Sequence, residues 1–82
     1  MDTVRVRRAA RLAQIDAHLA MERRHVADMT AHLEKARALG WAQGIDQLEA
    51  LLDLGEGRIA LLTRQQADLV TTMGGVPLQN SN

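Results

Sequence analysis

From Leu12 onward, apolar residues recur at alternating steps of three and four: Leu12, Ile15, Leu19, Val26, Met29, Leu33 and Ala36, with Glu22 the one charged member of the series. A second series runs from Ile45 through Leu48, Leu52, Gly55, Ile59, Leu62, Gln66 and Leu69 to Met73. This alternation is the signature of helices that meet along a narrow seam with a slight left-handed crossing. The pattern predicts an all-α protein built as an antiparallel two-helix hairpin, with helix 1 over about residues 3–39 and helix 2 over about 45–73.

The boundary residues agree with that division. Asp2 or Thr3 can cap the first start, and Gly40 stands where a left-handed residue ends a helix, with Trp41 placed to fold back over the last turn. Gly44 and the Asp46-x-x-Glu49 spacing, which has the form of a capping box, mark the second start. The link from Gly40 to Gly44 is short enough to force antiparallel neighbours. Gly74-Gly75 closes helix 2, residues 1–75 form the single domain, and residues 76–82 read as a flexible tail. Helix 1 outlasts helix 2, so its Arg-rich first turns are expected to lie beyond the seam.

Gly55-Glu56-Gly57 complicates the second helix. Two interior glycines cost about 2 kcal/mol against alanine, so the sequence allows a break at 55–57, giving three helices, as well as a continuous helix. Gly55 has a packing reason to be there: it falls opposite the Val26 to Met29 region, where a missing side chain makes room for bulky ones. Gly57 faces outward and has none, which makes the Gly55, Glu56, Gly57 segment a candidate partner contact.

Apolar residues also lie off the seam. Ala13, Ala17, Ala20, Ala27, Ala31 and Ala38 form a stripe on helix 1, and Leu51, Leu54 and Leu61 one on helix 2. Eighty-two residues bury little surface alone, and no cysteine is present to staple them. Pairing of two hairpins into a four-helix bundle, with these stripes as the dimer interface, is the expected remedy.

Charge changes the picture in one respect. The chain has no formal net charge, which argues against binding polyanions by bulk attraction. Residues 1–40 nevertheless carry eight Arg or Lys against five acids, and residues 41–82 carry two against five, so the two halves attract each other. Within the basic half, Arg5, Arg7, Arg8 and Arg11 crowd a helix start, where cations oppose the helix dipole. They are therefore expected to contact a partner, either acidic protein surface or nucleic acid. Lack of aromatic residues other than Trp41 weighs against the latter.

The candidate chemistry is limited to His18-x-x-x-Glu22-x-x-His25, with His32 one heptad further on. Glu-x-x-His on one helix face is an element of di-iron carboxylate bundles, so His18, Glu22 and His25 are candidate metal ligands in a duplicated site. The competing expectation is that Glu22 is a seam polar residue fixing register, satisfied by His18, His25 or an arginine of another chain. Catalytic constellations are missing: there is no Cys or Tyr, Ser81 is the only serine, and no glycine-rich phosphate loop occurs. No stretch approaches the roughly 18 consecutive apolar residues of a membrane span. The sequence thus points to a small, soluble, cytoplasmic, non-enzymatic interaction protein without a cofactor, forming homodimers and docking on another protein as regulator, inhibitor or assembly adaptor. A metal-binding bundle and a nucleic-acid-binding hairpin are the alternatives.

Overall fold

The computed structural model describes residues 3–72, which form two helices, α1 (Thr3–Leu39) and α2 (Ala42–Val70), packed antiparallel. Among the described residues there is no strand. The hairpin measures 58 × 29 × 14 Å. Its smallest dimension is close to one helix diameter of about 10–12 Å, so both broad faces of the plate meet solvent and the core is a line of side chains between the helices.

That line is the seam read from the sequence. Ile15, Leu19, Met29, Leu33 and Ala36 of α1 are buried, and Leu12, Glu22 and Val26 between them are half-buried. On α2, Gly55 and Leu62 are buried, while Ile45, Leu48, Leu52, Ile59, Gln66 and Leu69 are half-buried. Leu19 is the most deeply buried side chain, at 1% exposure. It sits with Ile15, Leu62, Ile59 and Leu69 in the principal apolar cluster.

The turn is tighter than the glycine spacing suggests. Gly40 adopts φ +69°, its N–H donates to the Arg37 carbonyl at 3.1 Å, and the Trp41 N–H donates to the Ala36 carbonyl at 3.0 Å. This pair of bonds is the Schellman motif, which satisfies carbonyls that the helix end leaves without a partner. The link is therefore Gly40-Trp41 alone, and α2 begins at Ala42, three residues earlier than the sequence implies. Trp41 is the cap residue of α2 but makes no side-chain cap bond; its carbonyl accepts from the Ile45 N–H at 2.9 Å. Its ring lies over Gly44, where any Cβ would overlap it. Trp41 thus folds forward onto the first turn of α2 instead of back over α1, and Gly44 is the seat for its ring, not a helix start. Asp46 and Glu49 lie beyond the first turn and form no capping box; Glu49 instead pairs with Arg37 at 2.9 Å.

Helix 2 is continuous through residues 55–57, so the three-helix alternative is set aside. Gly55 is buried where a Cβ would come within 2.8 Å of Val26 Cγ2. Its absent side chain lets the helices approach at mid-length. Gly57 has nothing within 4 Å of where its Cβ would stand.

The cross-helix contacts fix the register. Gln66 meets Asp16, Arg58 meets Glu22 and Gly55 meets Val26. By extension Thr72 lies level with Ala9, and residues 3–8 of α1 run past the last described residue of α2. The expected cap at Asp2, the Gly74-Gly75 stop and the 76–82 tail lie outside the described residues.

The two glycines are expected to respond oppositely to a methyl group. Gly57→Ala should raise stability by about 1 kcal/mol through helix propensity. Gly55→Ala should lower it by about 1–3 kcal/mol through overpacking against the stiff Val26, with partial recovery when Val26 is also made Ala. Urea denaturation followed by helical circular dichroism measures both.

Candidate functional site

Each polar interruption of the seam is satisfied by a residue of the facing helix. Glu22 keeps only 15% of its side chain exposed. Its Oε1 accepts a hydrogen bond from Arg58 Nε at 3.1 Å, and its Oε2 lies 3.5 Å from His18 Nε2. A half-buried carboxylate without a partner would be costly, and a guanidinium with an imidazole beside it removes most of that cost. Gln66 donates through Nε2 to Asp16 Oδ1 at 2.6 Å. No described buried side-chain nitrogen or oxygen is left without a hydrogen bond.

Arg58 was the residue that local sequence reasoning could not supply, because it stands 36 positions from Glu22. The available signal was its place beside Ile59, which the antiparallel register sets level with Glu22. The arginine expected from another chain is provided by the same hairpin.

The proposed metal ligands do not converge. His18 lies on Glu22. His25 lines an open depression of about 450 Å³ with Met21, Glu22, Arg24, Asp28 and Arg58. His32 turns to the Asp28 carbonyl, with Nδ1 at 2.7 Å. Among the described residues no three His, Cys, Asp or Glu side chains come together as a metal-holding group. The arrangement around Glu22 is that of a salt-bridged register residue whose Oε1 and Oε2 already face a cation and an imidazole.

The candidate contact residues fall into separate groups. Gly55 is enclosed in the seam, whereas Glu56 and Gly57 are exposed on α2. At the open end of the plate, Arg5, Arg7 and Arg11 are exposed and Arg8 is half-buried, with Val4 and Val6 exposed among them. The first turn of α1 carries no acid.

The off-seam stripes are both exposed, but they face different ways. Leu51, Leu54 and Leu61 are 46%, 59% and 54% exposed. They lie on the broad face that carries His18, Arg58 and Gln65, since Leu61 shares a depression with those residues. Ala13, Ala17, Ala20, Ala27 and Ala31, all exposed, occupy the back of α1, on the far side from its seam and turned toward the other broad face. A single face-to-face contact therefore covers the leucines or the alanines, not both.

Comparison of the chain with models of known protein families, with curated proteins and with solved structures finds no match. Among the described residues, no helix is long and apolar enough to cross a membrane.

A double-mutant cycle on Glu22→Gln and Arg58→Met is expected to give a coupling of about 0.5–1 kcal/mol, because Arg58 remains 46% exposed and water screens the pair. Glu22→Leu should leave stability unchanged or raise it, since a well-packed apolar residue commonly equals or betters an ion pair. Thermal melts of the four members of the cycle, with Glu22→Leu alongside, measure both.

Proposed function

We propose that this hairpin is a non-enzymatic interaction module that works as a homodimer and docks its outer helix surfaces on another macromolecule, as a regulator, inhibitor or assembly adaptor. The observation that carries the reading is the exposure of Leu51, Leu54 and Leu61 along one face of a plate 14 Å thick. An exposed apolar stripe of this kind on a small chain marks a contact site. The hairpin offers its own core few alternatives, since its buried apolar residues amount to one seam. A second copy laid on the leucine face converts two lines of side chains into a four-helix core.

That arrangement leaves the alanine back of α1, together with Glu56 and Gly57 on α2, pointing outward. Small side chains let another helix approach closely, so this outer surface is the natural seat for the second macromolecule. The remaining depressions are wide open clefts lined by charged side chains, a setting for surface contact more than for enclosing a substrate.

The test is mass and its concentration dependence. Native mass spectrometry should find twice the 9.0 kDa chain mass, and the Tm should rise with protein concentration as mass action requires. Replacing Leu51, Leu54 and Leu61 together by Gln should give a 9.0 kDa species that remains helical. A parent protein that runs as a monomer at all concentrations, with a fixed Tm, removes the reading.

A further inference from the structure

The register turns the charges of the chain into a polarity along its long axis. The open half of the plate, residues 3–23 with residues 58–72, holds seven arginines against Asp16, Glu22 and Asp68, a balance of +4. The loop half, residues 24–57, holds Arg24, Lys35 and Arg37 against six acids, a balance of −3. No acid occurs in α1 before Asp16, and no base in α2 before Arg58. Helix midpoints about 28 Å apart separate these halves, well beyond the screening length of about 8 Å at physiological salt. Two such rods laid side by side with like ends together repel at both ends. Laid the opposite way, each positive half lies along a negative one.

The shape of the leucine face is matched to the second arrangement. Leu51 and Leu54 project from the loop half. On the same face of the open half lies a depression of about 330 Å³ lined by Arg11, Ile15, Gln65, Asp68, Leu69 and Thr72, with two seam residues, Ile15 and Leu69, among its walls. The leucines and the depression lie at nearly equal distances, about 12 Å, on either side of the midpoint of α1. Exposed Met21 and Leu61 lie level with each other at that midpoint, at 64% and 54% exposure.

We propose that two copies pair through their leucine faces with the turns at opposite ends, Leu51 and Leu54 of each seated in the Arg11–Thr72 depression of the other. Met21 and Leu61 of both copies meet near the two-fold axis, which stands perpendicular to the helices. The contact is isologous, so the seat and the charge pairing each form twice and the assembly closes at two. The arginines at the open end then serve the second copy, lying level with Asp46 and Asp53 across the interface. This inference rests on the homodimer reading and adds the orientation.

The chain has no cysteine, so a single Gln43→Cys at the exposed start of α2 carries one spin label per copy. Pulsed electron resonance on that dimer should give a label separation of about 50 Å, the sum of two half-lengths, against under about 25 Å if the turns lie at the same end. Asp46 and Asp53→Lys should raise the dimer Kd at least tenfold at low salt. Adding Arg7, Arg8 and Arg11→Glu to the same chain should restore it, and high salt should erase both differences. A dimer with the short separation overturns the orientation and leaves the homodimer intact. A monomer by native mass overturns the homodimer reading and this inference with it. A dimer with the long separation whose Kd ignores Leu54→Asp overturns the seating in the depression.

Discussion

Two helices joined by two residues can hide only one stripe each, and the position of the turn decides which residues share that stripe. The Gly40 Schellman turn sets the level of every pairing along the plate. It puts Arg58 beside Glu22, Gln66 beside Asp16 and Gly55 beneath Val26. Shifting it by one residue would carry the guanidinium away from a half-buried carboxylate and drive a side chain into the space Gly55 leaves open. The seam thus contains its own register checks, distributed along its length. Apolar packing supplies the attraction, and the polar and glycine positions reject the alternatives.

Much of this was legible from the spacing of apolar residues. Every seam position from Leu12 to Leu69 is buried or half-buried, and Gly40 has the left-handed backbone expected of it. The turn is tighter than the glycine spacing predicts because Gly44 answers through its small size to the Trp41 ring and is not backbone punctuation. Local propensity likewise could not settle residues 55–57, because the packing that tolerates Gly55 comes from the other helix. Arg58 was out of reach for the same reason: an ion pair 36 positions apart leaves no periodic trace.

The surface was harder to read than the seam. Apolar residues at three-four spacing announce a helical stripe, but the direction of that stripe depends on which side of the seam it lies. Only the folded hairpin places the leucines and the alanines on different faces. Dividing the charge between the first and second halves of the chain likewise pointed to attraction between the helices. The folded molecule instead separates charge along the rod, because the acids of α2 cluster near the turn and the arginines of α1 cluster away from it.

Trp41 is the one aromatic side chain in the protein, and it stands at the turn with its ring on Gly44. The ring meets that surface once the first turn of α2 has formed. Its fluorescence therefore reports the local start of α2 and is nearly blind to the distant end, where Ile15, Leu19 and Leu62 lie. Contacts near a turn close short loops and those at the open end close long ones. An optical signal stationed at the hinge and a helical signal averaged over the rod therefore watch different stretches of one molecule, the first a single turn of α2 and the second both helices together.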